Sequence, residues 1–260
     1  MSRIIAIANQ KGGTAKTTSC INIGASLAER GKKVLLVDLD PQANLSSGLG
    51  IKLGDNEQGT YELIMEKEPA DILIRETEIP GLHIIPSSIM LAAAEAELAG
   101  DIGRDQLLRW SLTEQMDRYD YIIIDTPPNL GVLTINSLGA ADEVIIPLQP
   151  QAFAMSGAAK LLEIIEKVKR RINPNLAGWI LLLTLVDYRR NEDKRMIREV
   201  RDSYRDRVFE CEIRVNSKLL EASREGMAAK KYAASSSGAL EYDALALEML
   251  RMHGEAGEAV

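Results

Sequence analysis

Short apolar segments alternate with longer amphipathic segments along most of the chain. The apolar segments predict β-strands at residues 3–8, 33–38, 82–86, 121–125, 143–148 and 178–184. The amphipathic segments predict helices, including residues 17–29, 104–118 and 154–171. Strands that alternate with helices in this way predict a doubly wound α/β fold, with a mostly parallel sheet and helices on both faces. In such a fold the ligand lies at the carboxyl ends of the strands.

The segment between the first predicted strand and the first predicted helix has the composition of a phosphate-binding loop. Residues 9–18 read NQKGGTAKTT. Gly12 and Gly13 let the backbone approach phosphate oxygens closely, and the N–H groups that begin the following helix face the negative charge. Lys16 is placed to contact the β- and γ-phosphates, and the hydroxyl of Thr17 to bind Mg²⁺. The loop therefore predicts a nucleotide-binding protein.

This loop departs from the common pattern GxxxxGK[ST], which requires glycine at the positions of Gln10 and Ala15. It fits a variant, xKGGxxK[ST], in which a second lysine, Lys11, precedes the glycine pair. If the loop needs a positive φ at Ala15, the side chain there costs ~1–2 kcal/mol. We expect ATP binding to be retained, because Lys11, Gly12, Gly13, Lys16 and Thr17 are intact, and turnover to be slow.

Two further predicted strands end in acidic residues. The segment KVLLVDLDPQ, residues 33–42, carries Asp38 and Asp40 at the end of a buried parallel strand. The segment YIIIDTPP, residues 121–128, ends its strand in Asp125, where an acidic residue holds the water shell of Mg²⁺. We expect these strand ends to converge with the phosphate loop on one ligand.

The segments KGGTAKTT, VLLVDLDPQ and YIIIDTPP together resemble the ParA/MinD class of P-loop ATPases, and specifically its ParA/Soj branch, which partitions chromosomes and plasmids. Residues 44–51, 131–138 and 216–223 are similar to that branch in order and spacing, so the resemblance covers most of residues 1–250. It implies an ATPase that converts ATP and water to ADP and phosphate, uses Mg²⁺, and is stimulated by a partner or by DNA.

The resemblance also implies roles for individual residues. The residues implied to bind the nucleotide are Lys11, Gly12, Gly13, Thr14, Ala15, Lys16, Thr17, Thr18, Arg214 and Asn216. Lys11 resembles the family's signature lysine, which reaches the phosphates of the other subunit in an ATP-bound homodimer. Catalysis is assigned to Lys11, Lys16 and Asp40, with Asp40 orienting the attacking water. The alternative for Asp40 is a carboxylate that caps the turn at Pro41.

The metal and base sites follow from the same resemblance. Mg²⁺ is assigned to Thr17 and to Asp125, which acts through water. Asp38 is either a structural residue or a further member of the water shell. The late loop that contacts adenine reads Arg214-Val215-Asn216 here, and Asn216 offers both a hydrogen-bond donor and an acceptor.

Charge is distributed unevenly along the chain, whose net charge is −7. Residues 160–231 contain 18 Lys and Arg against 12 Asp and Glu, whereas the part before them contains 12 against 21. Either this basic segment forms a surface that binds phosphates, or its cations are solvated and pair with acidic neighbours, as Glu192 with Arg195. By resemblance, Arg189 and Lys218 match positions that bind double-stranded DNA without sequence preference.

The favoured hypothesis is an ATP-gated dimer that binds nucleoid DNA and positions a plasmid, a chromosome origin or another cargo with a ParB-like partner. The alternative is a MinD-like ATPase that cycles on and off the membrane, which requires a basic amphipathic C-terminal helix. Residues 240–253 instead carry Glu241, Asp243 and Glu248, which argues against binding to anionic lipid. We expect this segment to form a helix packed on the sheet.

Length and composition fit a single folded domain. The chain has 260 residues, 46% of them hydrophobic and 27% charged, so we expect one ATPase domain at residues 1–253 and a flexible tail at residues 254–260. No apolar segment approaches the ~20 residues of a membrane-spanning helix. We expect a cytoplasmic, nucleoid-associated protein without stable membrane association. Cys20 and Cys211 lie far apart, which disfavours a disulfide framework and an iron–sulfur reductase.

Overall fold

An eight-stranded β-sheet forms the centre of the fold in the computed structural model, which describes residues 2–54, 57–100, 103–151 and 154–255. The strands are β1 (Arg3–Ile7), β2 (Val34–Asp38), β3 (Arg75–Glu76), β4 (Leu82–Ile85), β5 (Tyr121–Asp125), β6 (Glu143–Leu148), β7 (Gly178–Val186) and β8 (Val208–Arg214). Their order across the sheet is β3-β4-β2-β5-β1-β6-β7-β8. The β3–β4 pair is antiparallel and the other neighbours are parallel, so the predicted fold class is confirmed.

Helices cover both faces of this sheet. Those of the described residues are α1 (Lys16–Glu29), α2 (Asn44–Ser47), α3 (Thr60–Met65), α4 (Ala70–Leu73), α5 (Leu91–Glu97), α6 (Leu107–Ser111), α7 (Val132–Ala140), α8 (Ala154–Arg171), α9 (Asn191–Tyr204), α10 (Ser217–Arg224), α11 (Ala229–Ala233) and α12 (Ser237–Met252). Helices α1, α11 and α12 pack on one face. Helices α3 to α9 cover the other face in two adjoining apolar clusters.

The central strand β5 shows how the sequence pattern produces these layers. Successive side chains of a strand point to opposite faces, so Tyr121 and Ile123 join the cluster with α1 and α12. Ile122 and Ile124 join the cluster with α5 to α7. Because both faces of β5 are covered, the strand reads as a continuous apolar run rather than an alternating one.

The register of the sheet places the ends of β1, β2 and β5 side by side. Ile7, the last residue of β1, lies opposite Asp125 of β5. Asp38, the last residue of β2, lies opposite the same aspartate. The phosphate loop follows Ile7 directly, so the predicted convergence of these strand ends is confirmed.

The six predicted strands are confirmed to within two residues at their ends, and two edge strands were missed. Strand β3 has only two residues, which is too short for a periodic signal. Strand β8 alternates apolar residues such as Phe209 and Ile213 with Glu210 and Glu212. This alternation is typical of a strand at the edge of a sheet, where part of each side chain meets water.

The continuous helix predicted at residues 104–118 is wrong. The segment forms α6 between two 3₁₀-helices, Arg104–Gln106 and Thr113–Asp117. The side chain of Asn136 in α7 accepts from Leu108 N at 3.2 Å and donates to Arg104 O at 2.6 Å. Those two backbone groups would bond to each other in an α-helix. Asn136 therefore replaces one helical hydrogen bond with two hydrogen bonds to α7, which packs on the same face of the sheet.

The C-terminal helix α12 packs on the sheet, as the sequence predicted. Tyr242, Leu245 and Met249 are buried against the sheet and α1, although Leu240, which the sequence suggests belongs to the same face, is 52% exposed. None of the helices in the described parts of the chain combines the length and apolarity that membrane crossing requires.

Residues at the end of α12 tie it to the amino ends of the strands. His253 Nε2 lies 2.7 Å from a carboxylate oxygen of Glu143, and the Tyr121 hydroxyl donates to Glu255 at 3.0 Å. The predicted tail, residues 254–260, lies outside the described residues from residue 256 onward. The domain boundary at residue 253 stays a prediction.

We expect Ile123→Ala to lower the free energy of unfolding by about 2–5 kcal/mol, because it leaves a cavity between β5 and the α1 layer. Ile123 is fully buried. Urea unfolding followed by circular dichroism measures the change. The matched control is Ile72→Ala in α4, since Ile72 is 54% exposed and its truncation should cost less than about 0.5 kcal/mol. Equal losses for the two variants would contradict the assigned core.

Candidate functional site

A cavity of about 770 Å³ opens at the carboxyl ends of the strands. The loop between β1 and α1 forms one wall, Asp40 after β2 forms part of another, and the loop after β8 closes the far side. The structure therefore brings most of the predicted phosphate loop, the candidate catalytic aspartate and the predicted adenine loop to a single cavity.

The phosphate loop has positive φ angles, including the one at Ala15 that the sequence analysis treated as a possibility. Gly13 has φ 71° and Ala15 has φ 65° and ψ 30°, both in the left-handed region. Ala15 flanks the first residue of α1, and its carbonyl accepts from Ser19 N at 2.9 Å. A non-glycine residue in this region costs ~1–2 kcal/mol. The loop thus carries the strain that the sequence predicted for Ala15 if φ were positive.

The glycine pair faces open space. A Cβ atom built on Gly12 or on Gly13 would meet no protein atom within 4 Å. Both glycines line the cavity, and α1 begins just beyond them at Lys16. Backbone amides at a helix N-terminus are suited to phosphate oxygens.

Hydrogen bonds to neighbouring strands hold the loop. The Asn9 amide donates to Pro147 O of β6 at 2.6 Å, and its oxygen accepts from Lys11 N at 2.9 Å. On the other side, the Thr184 hydroxyl of β7 donates to Thr14 O at 3.0 Å. Neighbouring strands therefore hold the loop at its start, through Asn9, and near its middle, through Thr14.

The predicted Mg²⁺ residues Thr17 and Asp125 are in direct contact. The Thr17 hydroxyl donates to Asp125 Oδ2 at 2.6 Å, while the buried Asp125 Oδ1 has no hydrogen-bond partner. Burial, followed by repulsion from Asp38, raises the pKa of Asp125 to about 7. A cation or its water shell would satisfy the unpaired oxygen and favour the ionised carboxylate. The residues present therefore fit a Mg²⁺ ion.

Lys16 supplies the positive charge of the site. Its side chain is largely buried, and burial lowers the pKa of its ammonium group against the opposing effects of Asp125 and Asp40. A buried ammonium group near two carboxylates is partly compensated, and an anionic ligand in the cavity would complete that compensation.

Asp38 is fully occupied by contacts within the protein. Its carboxylate accepts from Ser46 N at 2.9 Å, from Ser46 Oγ at 2.7 Å and from Asp40 N at 3.2 Å. Burial nevertheless raises the pKa of Asp38 to about 6. These contacts join β2 to α2 and favour the structural one of the two roles considered for Asp38.

Asp40 shows features of both of its predicted roles. Its Oδ1 accepts from Gln42 N at 3.0 Å, which caps the turn at Pro41, and the residue also lines the cavity. The two roles are compatible, because a carboxylate offers about four lone pairs. Its catalytic role stays a prediction.

Lys11 does not line the cavity of its own chain. Its ammonium group donates to Gln151 Oε1 after β6, at 2.8 Å. The sequence predicts that Lys11 acts on the phosphates of another subunit. That role stays a prediction.

The late loop after β8 brings one of its two predicted nucleotide contacts to the cavity. Val215 and Asn216 line it. The Asn216 oxygen accepts from Lys218 N at 2.8 Å, which caps α10, and its amide donates to Ser237 Oγ at 2.7 Å. Arg214 is directed elsewhere, because Glu241 of α12 accepts from both its backbone N and its guanidinium group.

The two predicted DNA contacts lie at the same end of the sheet as the cavity. Arg189 follows β7 and Lys218 begins α10 after β8, so both follow the carboxyl ends of adjacent strands. The Arg189 guanidinium makes two hydrogen bonds to Asp187, at 2.8 and 2.7 Å. Lys218 Nζ donates to Glu221 at 2.6 Å. Both cations are on the surface and each has an acidic neighbour.

The structure changes one of the predicted acid–base pairs. Arg195 lies 3.5 Å from Glu199, one turn later in α9, rather than pairing with Glu192. Other ion pairs of the basic segment include Lys167–Glu163 and Arg201–Glu212. The basic segment is therefore a mixture of paired and solvent-facing cations.

Comparison with known proteins identifies the family. A family model described as an AAA domain matches residues 2–178. The chain is 44% identical over 249 residues to the sporulation initiation inhibitor protein Soj of Bacillus subtilis (strain 168), covering 96% of this chain and 98% of that protein. It is 41% identical over 255 residues to the chromosome-partitioning ATPase Soj of Treponema pallidum (strain Nichols), covering 98% and 100%. The chain belongs to the ParA/Soj branch of the ParA/MinD family.

A solved structure supports the fold of this ParA/Soj-type chain. The crystal structure of cobyrinic acid a,c-diamide synthase from Mycobacterium smegmatis with bound ADP and magnesium has a TM-score of 0.85 to it at 36% identity. The match covers 98% of this chain and 96% of that chain. The resemblance of the sequence segments to the ParA/Soj branch is thus confirmed over nearly the full length of the chain.

Sequence reasoning missed three residues that shape the site of this ParA/Soj-type chain. Thr184 holds the phosphate loop, Gln151 holds Lys11, and Ser46 holds Asp38. The one available signal was for Thr184, which is the polar residue at the end of the apolar run GWILLLT. Gln151 and Ser46 act across the fold, and nothing in their local sequence indicates a partner.

We expect Ala15→Gly to raise the free energy of unfolding by up to about 1 kcal/mol. Glycine removes the left-handed strain of ~1–2 kcal/mol, and its greater unfolded-state entropy offsets part of that gain. Urea unfolding of the nucleotide-free protein measures the effect. The matched control is Ala244→Gly on the exposed side of α12, which should lose about 1 kcal/mol. A loss of stability in both variants would argue against strain at Ala15.

Proposed function

We propose that this chain is an ATPase that converts ATP and water to ADP and phosphate with Mg²⁺. The observation that carries the proposal is the part-buried Thr17–Asp125 contact, with its unpaired carboxylate oxygen, at a cavity that Gly12 and Gly13 also line. Support also comes from the relatives, because the Treponema pallidum protein is named a chromosome-partitioning ATPase. The Mycobacterium smegmatis structure contains ADP and magnesium.

The residues of the site divide the work of hydrolysis. The amides of residues 12–18 hold the phosphate chain, and Lys16 neutralises charge on the β- and γ-phosphates. Thr17 and Asp125 would hold Mg²⁺, Asp125 through water. When bound, Mg²⁺ neutralises the charge that develops on the transferred phosphoryl group. Asp40 lines the cavity and orients the water that attacks the γ-phosphate.

Electrostatics make this site suited to a triphosphate with its metal. Burial disfavours the charged forms of both Lys16 and Asp125, as the directions of their pKa shifts indicate. A bound anion favours the charged form of the Lys16 ammonium group, and a bound cation favours the charged form of the Asp125 carboxylate. Nucleotide and Mg²⁺ are therefore expected to bind cooperatively rather than independently.

We further propose that ATP binding leads to a homodimer. Lys11 is directed away from its own cavity and is held by a neutral amide, so it is available to a second copy of the chain. There it would neutralise the phosphates of the partner's nucleotide, which links dimer formation to ATP. Release of phosphate removes the charge that Lys11 contacts and returns the chain to the monomer.

The ATP-bound dimer is proposed to bind double-stranded DNA through its backbone phosphates. Arg189 and Lys218 supply cations at one end of the sheet, and no base-reading pattern accompanies them, so binding should be indifferent to sequence. A ParB-like partner would stimulate hydrolysis and release the protein from the nucleoid. Repeated cycles would move or space a cargo such as a plasmid or a chromosome origin.

The membrane-cycling alternative receives less support from the described residues. A lipid-binding helix needs a free apolar face flanked by basic residues, whereas Tyr242 and Met249 of α12 are buried on the sheet. Glu241 and Glu248 of the same helix accept hydrogen bonds from the backbone of β8. Helix α12 is thus engaged with the fold along both its apolar and its acidic sides.

The decisive experiment measures DNA binding with Mg·ATP, with Mg·ADP and without nucleotide, at two salt concentrations. We expect binding that requires ATP, weakens with salt and is indifferent to sequence, because phosphate contacts dominate it. Anionic liposomes serve as a parallel arm. Liposome binding without DNA binding would contradict the proposal in favour of the membrane-cycling alternative.

Two lysine variants should weaken this DNA binding by different routes. Lys11→Ala should remove the ATP-dependent gain, because the dimer does not form. Lys218→Ala should keep the dimer, weaken binding to all sequences alike and lower the salt slope by about 1. The matched control is Lys33→Ala, an exposed lysine just before β2 at the opposite end of the sheet. Indistinguishable behaviour of all three variants would refute the assigned surface.

Asp125→Asn should remove the effect of Mg²⁺ on thermal stability and keep the effect of ATP. In the unsubstituted protein we expect Mg²⁺ to add to the rise in melting temperature that ATP produces, since each ligand binds only the folded state. The variant should keep a response to ATP and lose the increment from Mg²⁺. Thermal unfolding with ATP plus either Mg²⁺ or a chelator measures this. Asp117→Asn, on an exposed 3₁₀-helix, is the control and should retain the increment.

A further inference from the structure

The carboxyl end of β7 contacts the phosphate loop through one buried hydrogen bond. The Thr184 hydroxyl donates to Thr14 O at 3.0 Å, and the two residues are 170 positions apart in the chain. Thr184 is 0% exposed and Thr14 is 1% exposed. A buried hydroxyl without a partner is costly, so this bond ties the position of the loop to that of the strand end.

The residues that follow Thr184 contact the rest of the nucleotide cavity. Leu185 lines the cavity with φ 54°, a backbone conformation that branched and bulky residues adopt only where their surroundings impose it. Val186 O accepts from Val215 N at 3.1 Å, in the loop that carries Asn216. The strand end therefore joins the phosphate side of the cavity to the adenine side.

The same segment ends at one of the two proposed DNA contacts. Asp187 N donates to Asp193 of α9 at 3.0 Å. The Asp187 carboxylate accepts from the backbone N of Arg189 at 3.0 Å and from its guanidinium group. From Thr184 to Arg189, a short continuous piece of chain thus touches the phosphate loop at one end and presents a proposed DNA cation at the other.

Pairing between β7 and β8 is irregular where this segment begins. The register shifts between Leu181 and Leu183 and again between Thr184 and Val186. A bulged strand re-aims its side chains without breaking the sheet. The irregular pairing sets the direction of the side chains at the end of β7, including Thr184, independently of the regular pairing of the central strands.

We propose that Thr184 is a positioning residue that couples the nucleotide state of the phosphate loop to the DNA-binding end of the sheet through residues 184–189. The inference rests on the proposed function, since it concerns how ATP and DNA binding are linked. A triphosphate that draws the loop backbone toward itself carries Thr14 O with it. The bond to Thr184 passes that displacement to the turn that holds Arg189 and to the loop at Val215.

The test compares Thr184→Val, which keeps the shape and removes the hydroxyl, with Thr184→Ser, which keeps the hydroxyl. ATP affinity and DNA affinity are measured for each, the latter with Mg·ATP and with Mg·ADP. We expect Thr184→Val to weaken but not abolish ATP binding, because the buried carbonyl of Thr14 loses its donor, so both DNA affinities are measured at saturating nucleotide. The ATP-to-ADP ratio of DNA affinities in Thr184→Val should fall roughly fivefold or more. Thr184→Ser should restore the ratio.

The matched control is Thr77→Val, because the Thr77 hydroxyl also donates to a backbone carbonyl, Leu82 O at 2.8 Å, but beside β3 and β4 at the far edge of the sheet. It should leave the ratio unchanged. An unchanged ratio in Thr184→Val overturns the inference and leaves the proposed function standing. So does a loss of ATP binding itself in Thr184→Val, since the residue would then only build the loop. An unsubstituted protein whose DNA binding ignores ATP refutes the proposed function instead.

A second measurement uses the unsubstituted chain and so does not depend on a variant that folds. Hydrogen exchange of the amides of Asp187, Arg189 and Val215 is followed with Mg·ATP and with Mg·ADP, in the absence of DNA. We expect slower exchange of all three with Mg·ATP, because the triphosphate orders the segment through Thr184. Equal exchange in the two nucleotides overturns the inference.

Discussion

The contact between Thr17 and Asp125 is the constraint on which the rest of the site depends. It joins the first turn of α1 to the end of the central strand β5, and the sheet register then places the ends of β1 and β2 beside the same aspartate. Burying a carboxylate there is unfavourable, which the raised pKa of Asp125 expresses. The fold tolerates this cost because the site is built for a cation that the protein itself does not supply.

Around that contact, some parts of the site have regular geometry and several hydrogen bonds, and another part has irregular backbone geometry. Asp38 is held by three hydrogen bonds within the protein, and Asn9 fixes the start of the phosphate loop to β6. By contrast, the end of β7 combines a positive φ at Leu185 with irregular pairing to β8. Asp38 and Asn9, which have these hydrogen bonds, lie where metal and phosphate must be positioned. The irregular end of β7 lies between the cavity and the surface.

The sequence predicted the elements whose signal is local. Central strands buried on both faces read as continuous apolar runs, so β1, β2, β5 and β6 were found with near-correct ends. The phosphate loop was found because glycine and lysine have specific uses beside a phosphate. Edge strand β8 was missed, since Glu210 and Glu212 interrupt its apolar pattern. The break at α6 was also missed, because Asn136 causes it from another helix.

The Lys11 contact determines how readily this lysine could leave Gln151 for a second copy of the chain. In one chain the ammonium group rests on the neutral amide oxygen of Gln151 and stays at the surface. Leaving such an acceptor gives up a single neutral hydrogen bond, which water replaces at little net cost. A carboxylate in the same place would have held the lysine more strongly and resisted its departure. The Lys11 side chain is therefore held weakly. Its release would add no large energetic barrier to the proposed contact with a second copy.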